Sequence, residues 1–364
     1  MVPFIDLRRQ YRVIGAEIER AVSAVFAGGQ YILGPEVHAF ETELARYCGA
    51  AHGIGVASGT DALRLALEAV DVGPGDEVIV PTFTFVATAE VVTNLGATPV
   101  FADIDAARFA LDPIDTARRI TARTKAIVPV HLYGRPADMT ALLELAAPRG
   151  LAVVEDAAQA VGAEFRGRRI GSLGVAACFS FFPTKNLSAY GDGGFITTND
   201  GAVAERLRML RAHGSRQKYF HESPGWCSRL DEVQAAALRV KLRHLEAWTK
   251  SRRSLAARYR TALAGLPLIL PEDGDSERAV YHLFTVRTRR RDELKKHLDD
   301  AGIGCAVHYP IPVHRQPLYR HIGGSFPQSE RASEEVLSLP LFPELTESEQ
   351  DQVVAAVRSF FAAA

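Results

Sequence analysis

The sequence has little cysteine, no long apolar run and no excess of charge, and each absence excludes a class of protein. Its four cysteines, Cys48, Cys178, Cys227 and Cys305, lie far apart without a CxxC pair. We therefore expect no disulfide framework and no metal site. No stretch approaches the roughly 18 apolar residues of a membrane span. The 42 basic and 43 acidic side chains leave a formal charge of −1, which argues against nucleic acid or an anionic membrane as the main partner.

The remaining composition is that of a globular protein. The apolar share is 47% and the charged share 23% of 364 residues, both ordinary values. The N-terminal stretch MVPFIDLRRQYRVIG has no apolar core segment, so we expect no signal peptide. We therefore predict a cytoplasmic enzyme or binding protein.

Seven short apolar runs predict strands that are buried on both faces. They begin at residues 53, 77, 98, 125, 151, 177 and 194, and several consist almost entirely of Val, Ile, Leu and Phe. Helix-like segments lie between many of them. In one such segment, Leu63, Leu67 and Val70 share a helical face. This alternation predicts an α/β fold, with a mostly parallel seven-stranded sheet between two layers of helices.

The pattern changes from about Leu230. Residues 230–265 predict one long helix or two abutting helices, and a Pro-, Gly- and Asp-rich stretch, 267-PLILPEDGDSERA, follows them. A strand-like run, a helix and a last helix from about Thr346 complete the chain. We predict a large α/β domain over residues 1–249 and a smaller α+β domain over residues 250–364.

Polar residues follow two of the predicted strands. In 56-VASGTDAL, Ser58, Gly59 and Thr60 open a helix, where free backbone N–H groups can hold an anion. The alternative is a simple helix cap by Ser58 or Thr60. In 151-LAVVEDAAQA, Glu155 and Asp156 point to opposite faces of an extended chain, so one can enter a site while the other turns away. The alternative is again a helix cap.

A lysine follows another strand. The stretch 179-FSFFPTKNLSAYGDGG places Lys185 between an apolar run and a glycine-rich turn. Such a lysine could carry a carbonyl compound as a Schiff base when its pKa is depressed. The alternative is an ordinary lysine that reaches the surface. An anion site, a strand-end acid and this lysine together indicate pyridoxal phosphate, with Phe83 either stacked on its ring or packed in the core.

The chain resembles the nucleotide-sugar aminotransferases of the DegT/DnrJ/EryC1/StrS family, which have the fold of aspartate aminotransferase. The matching motifs run nearly end to end and include 33-LGPEVHAFE, 57-ASGTDAL, 81-PTFTFVATA, 155-EDAAQAVGA, 228-SRLDEVQAA and 308-HYPIPVH. The resemblance implies pyridoxal 5'-phosphate as the cofactor, with pyridoxamine phosphate as its intermediate form.

The resemblance also implies a role for each matching residue. Lys185 would bind the cofactor and move the proton, and Asp156 would pair with the pyridine nitrogen. The remaining implied cofactor contacts are Gly59, Thr60, Ser180, Phe83 and Gln159. The segment 226-WCSRLDE would reach into a partner's site, which implies a homodimer with shared active sites. Arg229, His308 and Tyr309 would then lie near the substrate, although His308 and Tyr309 could equally be surface residues.

One residue departs from the family pattern. Members commonly carry Asn directly before SRLDE, where it contacts the cofactor phosphate, and this chain carries Cys227. Because a thiol is a weak donor, that contact is in doubt.

The turn KNLSAYGDGG resembles members that act on 3-keto sugars rather than 4-keto sugars. We therefore expect transfer of an amino group from L-glutamate to the 3-keto position of a dTDP- or UDP-linked keto-deoxyhexose. The alternatives are a 4-keto sugar aminotransferase and a non-catalytic regulator. A sugar 3-dehydratase would replace Lys185 with histidine, and a Rossmann dehydrogenase would need a GxGxxG motif after an early strand.

Overall fold

A computed structural model of the chain describes residues 1–362. The strands are β1 (His52–Val56), β2 (Glu77–Pro81), β3 (Thr98–Ala102), β4 (Thr124–Ile127), β5 (Ala152–Asp156), β6 (Glu164–Phe165), β7 (Arg168–Arg169), β8 (Ala176–Ser180), β9 (Gly194–Thr198), β10 (Ser215–Gln217), β11 (Phe220–His221), β12 (Glu277–Arg278), β13 (Phe284–Arg287) and β14 (Val336–Leu339). The α-helices are α1 (Leu7–Gly28), α2 (Pro35–Cys48), α3 (Gly59–Ala69), α4 (Ala87–Asn94), α5 (Pro113–Arg119), α6 (Met139–Ala146), α7 (Gly201–Leu210), α8 (Glu232–Leu263), α9 (Arg291–Asp300), α10 (Pro327–Glu335) and α11 (Glu347–Ala362).

Seven of these strands form one sheet in the order β1-β9-β8-β5-β4-β2-β3. Strand β9 runs antiparallel to its neighbours β1 and β8, and the other neighbouring pairs are parallel. The mostly parallel seven-stranded sheet predicted from the sequence is therefore confirmed. The carboxyl ends of β1, β5 and β8 lie at one edge of the sheet, which is where open α/β sheets bind their ligands.

Helices cover both faces of the sheet, which explains why its strands are almost wholly apolar. Neighbouring residues of β2 alternate between two cores: Ile79 belongs to the core that includes Phe40 and Leu44 of α2, whereas Val78 and Val80 belong to the core that includes α3. The cysteines Cys48 and Cys178 are buried in these two cores. They act as small apolar residues, as the sequence predicts.

Helix α8 connects the large part of the chain to the small part. It is a single helix over Glu232–Leu263, and its contacts include α1 and α2 on one side and α11 on the other. The predicted domain boundary between residues 249 and 250 therefore falls inside an unbroken helix. The sequence has no helix-breaking residue there, so the helix continues from one part into the other.

The smaller part has its own core. Strands β13 and β14 pair antiparallel, and α8, α9 and α11 pack against them around Tyr259, Phe284 and Val353. The N-terminus also belongs to this core, because Val2 is buried in it and pairs with Ile303. Residue Val2 therefore packs with the smaller part before the chain crosses to the larger one, and the division into residues 1–249 and 250–364 stays a prediction.

Residues 1–362 lack two features. No helix in that range is long and apolar enough to cross a bilayer. Over the same range, no group of three or more His, Cys, Asp or Glu side chains is placed to hold a metal ion.

Candidate active site

A cavity of about 440 Å³ opens at the carboxyl edge of the sheet. The strand-end residues Ser58, Asp156 and Ser180 line it, together with Lys185. The volume is within the usual range for small-molecule sites. The topology therefore brings together the three strand ends that the sequence singles out.

The N-terminus of α3 points two free donors toward this cavity. Ser58 caps the helix, since its Oγ accepts from Asp61 N at 3.0 Å. Within residues 1–362, the N–H groups of Gly59 and Thr60 have no protein acceptor. A Cβ added at Gly59 would lie 2.6 Å from Ser180 Cβ, so a glycine is needed for the two segments to approach. Ser58 therefore caps the helix, and the free N–H groups of Gly59 and Thr60 also form a site for an anion.

Asp156 is a buried carboxylate at the end of β5, 6% exposed. Its Oδ2 accepts from Thr88 Oγ1 at 2.8 Å and its Oδ1 accepts from Ala158 N at 3.1 Å. No Lys, Arg or His of residues 1–362 forms a salt bridge with it. Burial raises the pKa of Asp156, against the effect of these hydrogen bonds. The carboxylate therefore lacks a cation on its cavity side.

Glu155 turns away from the cavity, as the alternation of an extended chain predicts. Its Oε1 accepts from the N–H groups of Leu173 at 3.0 Å and Gly174 at 2.8 Å. Its Oε2 contacts His131 Nε2 at 3.1 Å, and its side chain is fully buried. Glu155 therefore ties β5 to the loop before β8 and takes no part in the site.

Lys185 reaches the cavity from the turn after β8. Its backbone N–H donates to Phe182 O at 2.8 Å, and Ala189 N donates to Phe181 O at 2.7 Å, so the turn is closed on both sides of the lysine. Burial lowers the pKa of Lys185 to about 8, against the attraction of Asp156. The amine is still mostly protonated at neutral pH, but its neutral fraction is far larger than that of an ordinary lysine.

Gln159 is fixed between two groups. Its Oε1 accepts from Tyr133 N at 2.7 Å, and its Nε2 donates to Tyr309 Oη at 3.2 Å. Tyr309 and its neighbour His308 both line the cavity. Burial lowers the pKa of His308 to about 4, so this imidazole is neutral. Both loop residues that the resemblance places near the substrate are therefore in the cavity wall.

Phe83 is not in the cavity wall. Its side chain is fully buried and packs near Phe109, with ring centroids 6.0 Å apart, and near Tyr309 at 6.4 Å. Phe85 lines the cavity instead and is 55% exposed. The core-packing alternative for Phe83 is therefore the one the structure supports, and the aromatic face available to a ligand is that of Phe85. Nothing in the local pattern TFTFVA separates the two.

Arg229 lies outside this cavity. It lines a separate groove beside α7 and the β10–β11 hairpin, and its guanidinium Nη2 contacts Cys227 Sγ at 2.9 Å. Sequence reasoning also missed His282, which lines the cavity. Its only signal was a histidine directly before the apolar run LFTV, a pattern that fits a core residue equally well.

Three groups around the cavity lack partners that one ligand could supply. The helix end lacks an anion, Asp156 lacks a cation, and the Lys185 amine lacks a partner. Pyridoxal phosphate supplies all three, since it carries a phosphate, a pyridine nitrogen that takes a proton and an aldehyde that reacts with an amine. The residues present fit this cofactor, and fold and site together define a pyridoxal-phosphate-dependent enzyme.

The chain belongs to the DegT/DnrJ/EryC1/StrS aminotransferase family, whose sequence profile matches residues 12–358. It is 52% identical, over 99% of its length and 96% of the relative's, to dTDP-3-amino-3,4,6-trideoxy-α-D-glucose transaminase of Streptomyces venezuelae. It is 48% identical to UDP-N-acetyl-3-dehydro-α-D-glucosamine 3-aminotransferase of Acidithiobacillus ferrooxidans, over 98% of this chain and 97% of that protein. It is also 48% identical to a pleiotropic regulatory protein of Geobacillus stearothermophilus, over 99% and 98%. The resemblance stated from the motifs is confirmed.

Solved structures agree with this assignment. The structure of DesV from S. venezuelae in complex with a ketimine intermediate superposes with a TM-score of 0.97 at 52% identity, and the match covers 99% of this chain and 98% of that chain. The structure of NtdA from Bacillus subtilis with bound cofactor PMP has a TM-score of 0.93 at 32% identity, covering 99% and 85%. The protein is a pyridoxal-phosphate-dependent aminotransferase, and the predicted fold, enzyme class and cofactor are confirmed.

Proposed function

We propose that this protein moves the amino group of L-glutamate to the 3-keto position of a dTDP- or UDP-linked keto-deoxyhexose. The products are a 3-amino sugar and 2-oxoglutarate. The observation that carries the proposal is the 52% identity over nearly the whole chain to a transaminase named for a dTDP-3-amino sugar. The turn after Lys185 supports the same branch.

The cofactor-binding roles follow from the cavity. The N–H groups of Gly59 and Thr60 and the hydroxyl of Ser180 would hold the phosphate. Asp156 would keep the pyridine nitrogen protonated, and Phe85 would cover the ring in place of Phe83. When bound, pyridoxal phosphate supplies an electron sink for the bonds at the amino-bearing carbon.

The proton-transfer role falls to Lys185. A base works best when its pKa is near the working pH. Burial lowers the pKa of the Lys185 amine to about 8. Its Nζ can therefore take a proton from one substrate carbon and deliver it elsewhere within the same cavity. Gln159 and Tyr309, which bond to one another, fix the opposite wall.

The cavity is short of cations for these substrates. Its lining residues within 1–362 include one lysine, Lys185, and no arginine. The cofactor phosphate, the glutamate carboxylates and a sugar-nucleotide diphosphate are all anions. The segment over residues 213–229, which we call the basic segment, instead exposes Arg216 and Lys218 and carries the half-buried Arg229. We propose that a second copy supplies these cations, in a homodimer with shared sites.

The test is a comparison of acceptors with the purified protein. We expect 2-oxoglutarate to form from L-glutamate with a 3-keto nucleotide sugar about 10²-fold faster than with the 4-keto isomer, because the cavity must place one carbon at the reacting centre. The reaction can also be run backwards from the 3-amino sugar and 2-oxoglutarate. Faster turnover of the 4-keto isomer would assign the protein to the other branch.

A second candidate function is regulation, because one relative at 48% identity is named a pleiotropic regulatory protein. A regulator would bind the cofactor but turn over neither keto sugar. The presence of Lys185, Asp156 and Gln159 together favours the enzyme, since a pure binder has no need of a proton-transferring amine. The predicted cytoplasmic location stays a prediction.

A further inference from the structure

His282 has a fixed position in the cavity wall, and the proposed mechanism assigns it no role. It is 7% exposed, and its backbone is held at both ends: its N–H donates to Tyr133 O at 2.9 Å, and its C=O accepts from the buried guanidinium of Arg252 at 3.3 Å. The ring lines the cavity beside Lys185. Backbone fixation on both sides leaves the ring little freedom to turn out of the wall.

The hydrogen bonds of Asn186 decide which ring nitrogen of His282 carries the proton. Asn186 is the residue after Lys185, and its Nδ2 donates to Val280 O at 3.3 Å. Its other atom, Oδ1, therefore faces His282 Nδ1 at 3.0 Å. Because an amide oxygen can only accept, Nδ1 carries the hydrogen. The lone pair of this imidazole is then on Nε2.

The Nε2 atom is an unused acceptor. Within residues 1–362, no protein group donates to it, while the ring lies in the cavity wall. Burial lowers the pKa of His282 well below the usual value, and the charge of Lys185 lowers it further. The imidazole therefore stays neutral when Lys185 is protonated, so it can accept a hydrogen bond without taking the proton.

Lys185 is the lysine that lines the same cavity, and it is close enough for its charge to act on the His282 imidazole. The other titratable groups that line the cavity are Asp156 and Asp192; His308, whose Nδ1 contacts Ser338 Oγ at 3.1 Å; and Tyr309, whose hydroxyl accepts from Gln159. Arg252 is occupied by three backbone carbonyls. The Lys185 amine has a flexible stem and no protein partner among the described residues.

We propose that His282 is a positioning residue for Lys185: its Nε2 accepts a hydrogen bond from the protonated amine and holds that amine in the cavity between proton uptake and proton delivery. The proton stays on Lys185 Nζ throughout, and no bond to His282 forms or breaks. The inference rests on the proposed function, in which Lys185 binds the cofactor and moves the proton.

Two substitutions distinguish the role of Nδ1 from the role of Nε2. His282→Asn keeps a donor near the Nδ1 position and removes the acceptor at Nε2, whereas His282→Gln can place an oxygen near the Nε2 position. The readout is the rate at which the apo-protein develops the visible band with pyridoxal phosphate, measured across pH, since only the neutral amine reacts. A hydrogen bond to the charged form raises a pKa, so we expect the midpoint to fall by about one unit in His282→Asn. His282→Gln should restore most of this shift.

Several outcomes would overturn the proposal. One is an unchanged midpoint in His282→Asn; another is a change in the KM for the acceptor sugar alone, which would assign Nε2 to a sugar hydroxyl. The half-buried residue His297, which does not line the cavity, provides the matched control, since His297→Asn should leave the midpoint unchanged. If His282→Asn does not fold, ¹⁵N shifts of His282 in the wild-type apo-protein can be used: Nε2 should respond with a midpoint near 8, and a flat response would contradict the proposal. Formation of 2-oxoglutarate at the wild-type rate in Lys185→Ala would instead overturn the proposed function, whatever the His282 variants show.

Discussion

The inner wall of the cavity and the basic segment over residues 213–229 differ in how their polar groups are satisfied. In the inner wall, Asp156 and Gln159 are 6% and 8% exposed and are hydrogen-bonded within the chain. In the basic segment, Tyr219 and Phe220 are 81% and 64% exposed. The base of this segment is nevertheless anchored, since Trp226 Nε1 donates to Glu68 at 2.7 Å and Ser228 Oγ donates to Asp61 at 2.7 Å.

The difference indicates which half of the site one chain completes by itself. Buried polar groups without partners are costly, so the inner wall has to be satisfied within the chain that forms it. Aromatic side chains exposed to this degree on an anchored segment are typical of an interface. The comparison is the reason for our proposal that one subunit forms the floor of the site and a second supplies its cationic rim.

The largest effect is expected from the inner wall. Lys185→Ala should lower turnover by about 10⁴-fold or more, because it removes both the covalent attachment of the cofactor and the proton-transferring base. Amino transfer is followed as 2-oxoglutarate formed from L-glutamate. The variant should fold like the wild type, and substantial activity in a folded Lys185→Ala protein would contradict the roles proposed for Lys185.

The next effect tests the basic segment and the shared site together. Arg229→Ala should lower kcat/KM by about 10- to 100-fold, since a hydrogen bond to a charged group contributes about 1.5–3 kcal/mol.

Mixing this variant with Lys185→Ala under conditions that exchange subunits should restore about a quarter of wild-type activity, because half of the dimers then contain one intact site. The exposed residue Arg320 gives the control, as Arg320→Ala should have no effect. A mixture that stays inactive would show that each site is built within one chain.

A smaller effect concerns the stability of the apo-protein. The pKa of Lys185 falls from 10.5 to about 8 on folding, so below pH 8 the native state carries a charge that burial disfavours. The unfolded state binds more protons between pH 8 and 10.5, and stability therefore rises with pH across that window. Lys185→Met should raise the free energy of unfolding at pH 7 by at most about 3 kcal/mol, since the cavity admits water and screens the charge.

Denaturant unfolding of the apo-protein at pH 7 and pH 10 measures this difference. The advantage of Lys185→Met should shrink at the higher pH. Equal gains at both values would mean that the substitution acts by packing rather than through the charge. Lys241 provides a comparison away from the cavity, because burial also lowers its pKa to about 8 while its Nζ contacts Ser188 Oγ at 3.1 Å.

The smallest effect is expected at Cys227. The family resemblance implies an asparagine at this position that contacts the cofactor phosphate, and a thiol is a weaker donor than an amide. Cys227→Asn should therefore tighten cofactor binding by up to about tenfold, the value of one neutral hydrogen bond. Titration of the apo-protein with pyridoxal phosphate measures the Kd, with Cys305→Ser as the control. Weaker binding in Cys227→Asn would indicate that the Cys227–Arg229 contact itself supports the site.

The residues of the inner wall could be predicted from the sequence because the patterns that indicate them are local. Continuous apolar runs predict buried parallel strands, the period of two separates Asp156 from Glu155, and a proline and glycines around Lys185 mark a tight turn after a strand. Each of these depends on residues within about ten positions of one another, so the chain pattern carries them.

Such local patterns could not predict contacts between segments that are far apart in the sequence. The two aromatics Phe83 and Phe85 have the same local context, and only the packing of Phe109 and Tyr309 around Phe83 puts Phe85 in the cavity. The packing of α8 into both cores, and of Val2 into the core of the smaller part, likewise depends on contacts between segments far apart in the chain.

By itself, then, the sequence determined the α/β class, the cofactor chemistry and the two residues on which that chemistry depends. The tertiary structure decided that Arg229 lies outside the cavity of its own chain and that His282 presents a fixed acceptor within it. The physical reason is that a side chain's tautomer and its neighbours are set by hydrogen bonds between segments far apart in sequence: His282 takes its proton position from Asn186, 96 residues away.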